Sequence, residues 1–404
     1  MIESRWIDLL LYILLFLPVV LVLFDFLYRC LFLVVANLPI KEEKQKLCQE
    51  KDLKLLILVV ARNEQSVIEQ TLLQIKRQAD SNDSFIVAVL ADHCTDQTVQ
   101  IATNLGVQIF SRIDGNPGKA EALSWFVHAG KELLSITDIL TILDADTLIG
   151  DNYCEKICLA FQSNVQAVQS FIDPISKDGF PLTTLASYSE ILAQRIDDAA
   201  RSRLKWSVPL MGTGMAFETN LFCQICQGLG TQVDDIELSV RLAEMNIPVY
   251  FCPEAIIFDP KSDSMIGLAK QRGRWLKGQR QIWNEKWQSI LKLFRSGLSR
   301  WSLIYGMLFK PKTALITIQL ILIAIMLLWP FSGHINQWIL VLAVSSFLVD
   351  LIYFLAGLRY VSNVKIYVAA FLGLPLLLVL WCISWGFSLL SGKRWLRVRK
   401  NQKY

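Results

Sequence analysis

The sequence predicts an α/β domain inserted between membrane-spanning segments, and two observations lead to this prediction. Apolar residues make up 53% of the 404-residue chain and are gathered into long blocks near both ends. Between these blocks, short β-branched runs alternate with amphipathic helical patterns. Such alternation is typical of a parallel sheet that is covered by helices on both faces. The predicted fold class is therefore α/β, with a parallel sheet in the central domain.

The overall charge and the cysteine content exclude several classes of protein. Only 19% of the residues are charged and the net charge is +4, which excludes a disordered chain and gives no reason to expect a nucleic-acid partner. The small basic excess is compatible with anionic lipid headgroups. Nine cysteines, an odd number scattered along the chain, do not form the pattern of a secreted disulfide framework.

The N-terminal block, residues 1–40, contains an almost continuous apolar run over residues 8–38. About 20 residues of helix cross the hydrocarbon core of a bilayer, so this run is too long for one upright helix. One tilted helix and two short passes hinged near Asp25 both fit the run, which is interrupted by Asp25 and Arg29. We therefore predict one or two transmembrane segments here.

The C-terminal block, residues 313–392, contains three further apolar runs, at 313–332, 337–358 and 366–390. Each run is long enough to cross a bilayer and has at most one charged residue. The preceding residues, 295–312, mix apolar and basic side chains and are predicted to lie at the membrane interface, and residues 393–404 form a basic tail. The pattern predicts a multi-pass protein of a lipid bilayer.

The distribution of basic residues predicts which side of the membrane holds the central domain. Arg295, Arg300, Lys310 and Lys312 cluster where this domain meets the C-terminal block. The positive-inside rule then places the domain in the cytoplasm, and we expect a bacterial plasma membrane. The same rule places the basic tail in the cytoplasm, which conflicts with three passes. Either one C-terminal segment re-enters or folds back near Pro375, or the tail is an exception.

The central domain, residues 51–290, contains four short apolar runs that predict strands, at 55–60, 85–91, 107–110 and 139–143. A helical pattern with a Ser66-x-x-Glu69 capping box follows the first of these. Acidic residues follow three of the strands, namely Glu64, Asp92, and the pair Asp144 and Asp146. Ligands of parallel sheets bind beyond the carboxyl ends of the strands, so we expect these acids to converge on one crevice.

The Asp144-Ala145-Asp146 segment is a candidate metal site. Two carboxylates at a strand terminus supply hard oxygen ligands, which suit Mg²⁺ or Mn²⁺ that shares the oxygens of a phosphate. Because Asp-x-Asp is short and common, a pair of solvated turn aspartates is the alternative. The segments 115–120 and 212–217 each lack glycine or hydroxyl residues of the usual phosphate-binding loops. A diphosphate would then have to be held by a metal and basic side chains.

Two later segments contain further candidates. Asp234 and Asp235 open a predicted helix, where acidic residues are expected from the helix dipole alone. A carboxylate that accepts backbone N–H bonds there is expected to stay ionised at neutral pH, as a general base requires. The segment Gln271-Arg272-Gly273-Arg274-Trp275 offers guanidinium groups for phosphate oxygens and an indole face for a sugar ring. The alternative for this segment is a membrane-surface helix.

These motifs occur in a specific order: Ala61-Arg62-Asn63-Glu64, Asp92 to Asp96, Gly118-Lys119, Asp144-x-Asp146, Gly212-Thr213-Gly214, Asp234-Asp235-x-Glu237 and Gln271-x-x-Arg274-Trp275. In this order they resemble the motifs of the membrane-embedded family 2 glycosyltransferases. That family includes cellulose, hyaluronan, chitin and poly-N-acetylglucosamine synthases and lipid glucosyltransferases. The resemblance covers residues 55–290 and extends to the flanking membrane segments. It implies a GT-A domain, the Rossmann-like nucleotide-sugar fold.

The resemblance also implies a role for each matching residue toward a UDP-sugar donor and an acceptor. The implied nucleotide-sugar-binding residues are Glu64, Asp92, Lys119, Asp144, Gln271 and Arg274. The implied acceptor-binding residues are Gly212, Thr213, Gly214 and Trp275. Asp235 would be the catalytic base, and Asp146 would ligate Mg²⁺ or Mn²⁺ at the diphosphate.

The implied reaction is an inverting, metal-assisted single displacement onto a polysaccharide acceptor. A lipid acceptor, diacylglycerol-like or ceramide-like, is the alternative. The family's T-E-D motif is Val233-Asp234-Asp235 in this chain, so the acceptor specificity of the better-known synthases is not transferred. A transporter and a catalytically inactive scaffold are alternatives from other classes. The scarcity of charges in the membrane segments disfavours the first, and the presence of Asp146, Asp235 and Arg274 disfavours the second.

Overall fold

The computed structural model describes residues 2–39, 52–162, 164–175, 181–261, 264–308, 312–328, 334–370 and 373–390. Within these ranges, eight strands form one sheet: β1 Leu55–Ala61, β2 Phe85–Asp92, β3 Gln108–Arg112, β4 Ile139–Asp144, β5 Leu148–Ile149, β6 Ala167–Ile175, β7 Met215–Glu218 and β8 Tyr250–Pro260. The helices before the last strand are α1 Ile2–Ala36, α2 Ile68–Ala79, α3 Thr98–Asn104, α4 Lys119–Ala129, α5 Lys131–Ser135, α6 Tyr153–Phe161, α7 Pro181–Leu192, α8 Ala199–Arg203, α9 Thr219–Cys226 and α10 Asp234–Glu244. The helices after it are α11 Met265–Arg295, α12 Leu298–Leu308, α13 Lys312–Leu328, α14 His334–Gly357, α15 Val364–Ala370 and α16 Leu374–Leu390. A π-helical segment, Ala193–Asp198, joins α7 to α8, and a 3-10 turn, Leu358–Tyr360, follows α14.

The sheet has the order β3-β2-β1-β4-β7-β6-β8-β5. The four strands predicted from the sequence, β1 to β4, pair in parallel. The other half of the sheet is mixed, because β7 runs antiparallel to both β4 and β6, and β5 runs antiparallel to β8. The prediction of a parallel sheet is therefore wrong for this half. The chain enters β7 from the edge where β4 ends, so β7 must run in the opposite direction.

The alternation of side chains along the strands fills a core on each face of the sheet. Leu56 and Leu58 of β1 point to one face, where they pack in a cluster with Phe126. Ile57 and Val59 point to the other face. All five side chains are fully buried, and burying each contributes roughly 1.5–3 kcal/mol. Both faces of the sheet are thus largely apolar, and the candidate site residues Asp92 and Asp144 lie at the ends of β2 and β4.

Helix α2 begins at Ile68 without the predicted capping box. Its N-cap residue is Val67, and no side chain caps the helix. The backbone N–H groups of Val67 and Ile68 instead both donate to the carbonyl of Glu64 at 3.0 Å. Ser66 lies one residue before the cap position, so the capping prediction is wrong because a backbone turn starts the helix.

The apolar helices flank the α/β domain. Helix α1 is continuous and contains Pro18, so the alternative of two N-terminal passes hinged at Asp25 is not observed. By length and composition, two described helices are candidate membrane spans, Leu14–Ala36 and Ile335–Tyr360. A third candidate is the pair Val364–Ala370 and Pro375–Leu389, whose bend of 63° matches the predicted interruption near Pro375. The predicted basic tail, 393–404, lies outside the described residues.

A buried ion triad joins α1 to α14. Arg29 Nε lies 2.8 Å from Asp25 Oδ2 and 2.7 Å from Asp350 Oδ1. Gln319 of α13 donates to Asp350 Oδ2 at 2.9 Å, and the Tyr305 hydroxyl of α12 donates to Asp25 Oδ1 at 2.6 Å. Charged groups within apolar helices are stable only when they are paired. The triad therefore explains how these three charges interrupt apolar runs, and it fixes the register of the helices.

A second buried network ties the domain to the same helices. Arg201 of α8 is 1% exposed, and its guanidinium donates to Asp198 at 2.7 Å and to the Tyr28 hydroxyl of α1 at 2.7 Å. The Tyr353 hydroxyl of α14 donates to Asp197 in the π-helical segment at 2.9 Å. The domain is thus attached to α1 and α14 through directional, charge-assisted bonds as well as apolar packing.

Replacing Arg29 would leave two buried carboxylates without their shared counter-charge. We expect Arg29→Leu to lower the free energy of unfolding by about 3–5 kcal/mol. The measurement is the thermal unfolding midpoint of the detergent-solubilised protein. The matched control is Arg359→Leu, which removes an exposed arginine bonded to Asn37 and should leave the midpoint nearly unchanged. Equal losses in the two variants would contradict a special role for the triad.

Candidate active site

The loops that follow β1 and β2 are bonded to each other at the carboxyl edge of the sheet. Asn63 has a φ of +56°, and its side-chain oxygen accepts from the Thr95 N–H at 2.7 Å. The Glu64 N–H donates to Thr98 Oγ1 at 2.8 Å. These bonds hold the half-buried Glu64 beside the loop that begins at Asp92, as expected for one wall of a crevice.

Asp92, the last residue of β2, organises its surroundings through both carboxylate oxygens. Oδ1 accepts from the Arg112 guanidinium at 2.5 Å and lies 2.9 Å from His93 Nδ1. Oδ2 accepts from the Gly118 N–H at 2.8 Å. Asp92 is only 2% exposed, so its carboxylate shapes the loops around it. The predicted contact with a nucleotide base would then be made by exposed residues of the loop that begins at Asp92, and not by the buried Asp92 carboxylate.

Lys119, at the start of α4, is the cation at the centre of the site. Its Nζ lies 2.5 Å from Asp144 Oδ1 and donates to the Gly212 carbonyl at 2.6 Å. Burial lowers the pKa of Lys119, but the carboxylates of Asp144 and Asp234 outweigh this effect and raise it above its usual value. The ammonium group therefore stays charged and joins the end of β4 to the loop before β7.

Asp144 and Asp146 lie in the turn that follows β4. The Thr147 N–H donates to the Asp144 carbonyl at 3.0 Å, which closes the turn. Thr213 Oγ1 accepts from the Asp144 N–H at 3.2 Å and lies 3.0 Å from Thr147 Oγ1. The side chains of Asp144 and Asp146 are partly exposed, whereas Ala145 between them packs into the core. The two carboxylates thus share the sheet edge that the sequence predicts.

The donor set of this turn fits a divalent cation that takes most of its ligands from elsewhere. Among the described residues, no group of three or more His, Cys, Asp or Glu could hold a metal. Asp146, with Asp144 beside it, supplies oxygen ligands only. Mg²⁺ and Mn²⁺ accept such sparse carboxylate sites when water and phosphate oxygens complete the coordination.

Asp234 and Asp235 open α10, as predicted, and lie next to the loop before β7. A Cβ added to Gly212 would lie 3.8 Å from Asp235 Oδ2, so Asp235 lies near the glycine whose carbonyl accepts from Lys119. Asp235 Oδ1 accepts from the Ile236 N–H at 2.8 Å. Within the described residues, the buried Oδ2 of Asp234 has no hydrogen-bond partner.

The ionisation of Asp235 differs from the expectation. Burial and the adjacent Asp234 carboxylate raise the pKa of Asp235 to about 7. The Ile236 N–H bond and the charges of Lys119 and Arg274 oppose this rise but do not cancel it. At neutral pH the carboxyl group is therefore partly protonated. The prediction of a fully ionised carboxylate is wrong, because one N–H bond is weaker than burial combined with a like charge.

Helix α11 brings the Gln271-to-Trp275 segment to the site. Arg274 is close enough to lower the pKa of both Asp234 and Asp235. Gln271 and Trp275 lie on the same helix, and Trp275 is 38% exposed, but neither joins the hydrogen bonds described above. The close approach of α11 to α10 depends on Gly278, since a Cβ there would lie 2.3 Å from Val233 Cγ1.

Direct polar contacts thus join Lys119 to Asp144 and Gly212, and Asp144 to Thr213. Asp235 lies near Gly212, and Asp146 and Arg274 lie at the border of this group. Two polar residues next to the site were missed by the sequence analysis. Gln169 and Ser239 both bond the loop before β7. Gln169 could have been found, because a glutamine is unusual within the apolar run of β6. Ser239 could not, because a serine in an amphipathic helix such as α10 is ordinary.

Residues 53–278, more than half of the chain, match the protein family described as "Glycosyltransferase like family 2". Two curated relatives are named beta-monoglucosyldiacylglycerol synthase, one from Nostoc sp. and one from Trichormus variabilis. Each is 24% identical over 258 residues, which is 62% of this chain and 54% of the relative. The chain therefore spans about half the length of the curated relatives it matches.

A solved structure has a similar fold over almost the whole chain. It is the mannosyltransferase PcManGT from Pyrobaculum calidifontis in complex with GDP-Man and Mn²⁺. The TM-score is 0.53 at 16% identity, and the match covers 91% of this chain and 95% of that chain. At this identity the likeness shows the fold alone. Together with the family match, it confirms the predicted Rossmann-like α/β domain of the GT-A type.

A substitution at Gly214 tests how closely the loop before β7 is packed against the sheet. Gly214 has a φ of +65°, and an added Cβ would lie 2.7 Å from Ile257 Cδ1 and 3.0 Å from Ser170 Cβ. We expect Gly214→Ala to cost about 2–5 kcal/mol through left-handed strain and overpacking. Gly228 has the same φ of +65° with nothing within 4 Å, so Gly228→Ala should cost about 1–2 kcal/mol. Chemical unfolding measures both losses, and equal losses would contradict the crowding at Gly214.

Proposed function

The chain belongs to the family 2 glycosyltransferases, and we propose that it moves a sugar from a UDP-sugar to a lipid at the membrane surface. The observation that supports this best is the group formed by Lys119, Asp144, Gly212 and Asp235 at the carboxyl edge of the sheet. A cation, a metal-binding turn and a candidate base lie within reach of one small ligand there. A sugar nucleotide is a ligand that uses all three.

The donor would lie along the edge formed by the ends of β1, β2 and β4. The Glu64 and Asp92 loops would contact the nucleotide, and Asp144 would face the ribose and the donor sugar. Asp146 would hold Mn²⁺ or Mg²⁺, which when bound neutralises charge on the diphosphate. Gln271 and Arg274 would donate to the phosphate oxygens, since a guanidinium group stabilises charge that develops on a leaving group.

The reaction would be a single displacement with inversion at the anomeric carbon. Asp235 would accept the proton of the acceptor hydroxyl while the hydroxyl oxygen forms a bond to that carbon. The bond between the carbon and the phosphate oxygen breaks, and its electron pair leaves with UDP. The pKa of Asp235, near neutrality, suits a general base because it combines a usable ionised fraction with proton affinity. Gly212, Thr213, Gly214 and Trp275 would line the acceptor side.

The surface of α11 supports a lipid acceptor. Trp283, Trp287 and Leu291 are 40%, 48% and 37% exposed, while Ile282 and Ile290 are buried. A kink at Lys286, whose φ is −121°, separates Trp283 from the other two. Tryptophan is enriched at the level of lipid headgroups. These exposed side chains follow the Gln271-to-Trp275 segment on α11 and precede the segment 295–312 that was predicted to be interfacial. A membrane lipid could reach Asp235 from this side.

Two further points favour a lipid over the polysaccharide expected first. The described helices include two candidate spans, or three with the bent pair, which is few for a channel that threads a polymer. The two curated relatives named beta-monoglucosyldiacylglycerol synthase match 258 residues of the chain at 24% identity.

A panel of radiolabelled UDP-sugars, incubated with membranes containing the protein, tests the acceptor. We expect the label in the organic phase. Label in an ethanol-insoluble pellet would establish a polysaccharide, and the absence of any product would overturn the donor class.

Asp235→Asn tests the proposed base. The amide cannot accept the proton of the acceptor, so we expect transfer to fall by about 10³-fold or more, while UDP binding persists because the donor contacts are elsewhere. Calorimetry with UDP and Mn²⁺ measures binding, and product formation measures transfer. The control variant is Glu244→Gln, which removes an exposed acid from the other end of α10. Loss of UDP binding in Asp235→Asn would indicate a structural role instead.

The pH dependence of transfer should follow Asp235. A base is inactive when protonated, so kcat/KM should fall as the pH decreases through about 7. The Asp234 carboxylate raises the pKa of Asp235, so Asp234→Asn should shift the acidic limb of the profile to lower pH. Glu244→Gln serves again as the control and should leave the limb in place. A limb that does not move in Asp234→Asn would show that another group controls the profile.

A further inference from the structure

We propose that Gln169 and Ser239 are positioning residues that hold the loop 210–214 between the donor side and the acceptor side of the site. The inference rests on the proposed function, because it concerns the alignment of Asp235 with the donor. Each side chain bonds backbone groups of site residues, Gln169 at Thr213 and Ser239 at Asp235. Both act through the backbone of the loop.

Gln169 holds the loop from the side of the sheet. It is 1% exposed, its Oε1 accepts from the Met211 N–H at 2.9 Å, and its Nε2 donates to the Thr213 carbonyl at 3.0 Å. One amide thus satisfies the backbone on both sides of Gly212, which has a φ of +86°. Without this amide, the partly buried N–H of Met211 and the buried carbonyl of Thr213 would lose their partners, at a cost that favours rearrangement of the loop.

Ser239 holds the loop from the side of α10. It is 1% exposed, its hydroxyl donates to the Asp235 carbonyl at 2.8 Å, and its Oγ accepts from the Leu210 N–H at 3.0 Å. This hydroxyl therefore bonds the backbone of the candidate base and the backbone of the loop at once. It sets the distance between the first turn of α10 and residue 210.

The remaining backbone of the loop shows why these two side chains matter. The Gly214 N–H donates to the Ile142 carbonyl at 2.9 Å, and its carbonyl accepts from the Ser170 N–H at 2.9 Å, so the sheet already holds this end of the loop. The segment from Leu210 to Thr213 lies beyond the strand pairing. Its described backbone bonds include those to Gln169, to Ser239, and from Lys119 to the Gly212 carbonyl.

The loop 210–214 therefore links Lys119 on the donor side to Asp235 on the acceptor side. Lys119, which binds Asp144 on the donor side, donates its second bond to the Gly212 carbonyl. Asp235, on the acceptor side, lies near the same glycine, since a Cβ added there would be 3.8 Å from Asp235 Oδ2. A shift of the loop would therefore move the base relative to the donor without removing any group that binds the donor. A misplacement of about 1 Å can cost about 10²-fold in rate.

The test compares steady-state transfer by variants of the full-length protein in membranes. We expect Gln169→Met and Ser239→Ala to lower kcat by about 10–100-fold, while the KM for the UDP-sugar changes by less than about threefold. Ser239→Thr keeps a hydroxyl that can bond the carbonyl four residues earlier, so it should restore most of the lost rate. The matched control is Gln166→Met, which removes an exposed glutamine three residues before Gln169.

Several outcomes would overturn the inference. Wild-type kcat in both Gln169→Met and Ser239→Ala would do so, and so would losses of kcat that simply follow a loss of folded protein, measured by the thermal unfolding midpoint. A failure of Gln169→Met to fold leaves the Ser239→Ala and Ser239→Thr pair to decide. The proposed function fails separately, when the wild-type protein transfers no sugar from any UDP-sugar, and the inference then fails with it.

Discussion

The ammonium group of Lys119 is the interaction on which the candidate site depends. It is the buried cation that binds Asp144 directly and offsets the charges of Asp234 and Asp235. Three carboxylates at one sheet edge would otherwise repel each other, and burial would drive them toward the neutral form. The lysine allows these acids to remain close together. Its second bond, to the Gly212 carbonyl, couples this balance of charges to the position of the loop before β7.

Buried charges also connect the catalytic domain to the apolar helices. The Arg29 triad lies among the candidate membrane helices, and the Arg201 network joins α8 and the π-helical segment to α1. Apolar packing alone leaves helices free to slide, whereas charge-assisted bonds have a direction. The position of α8 and the π-helical segment against α1 and α14 is therefore set by specific pairs. This rigidity suits an enzyme whose acceptor approaches from a fixed side.

The first four of the eight described strands and the position of the acidic residues were predictable from local sequence. The apolar runs of β1, β2 and β4 end in Glu64, Asp92 and Asp144 within one or a few residues, and parallel strands bring such ends together whatever the details of packing. The antiparallel β7 was not predictable, because its direction follows from the loop that precedes it. The start of α2 and the pKa of Asp235 depend on backbone geometry and on neighbours from other elements. Gln169 acquires its importance only from residues more than 40 positions away.

The contact between Val233 and Gly278 links two positions that are distant in the chain. Helix α11 can approach α10 only because residue 278 has no side chain, and Val233 occupies the space that this leaves. A homologous chain with a bulkier residue at either position would need a smaller one at the other, or else a wider gap between the two helices. We therefore expect positions 233 and 278 to vary together among homologous chains. A change at the residue before the aspartate pair would be accompanied by a change on the helix that contains Arg274 and Trp275.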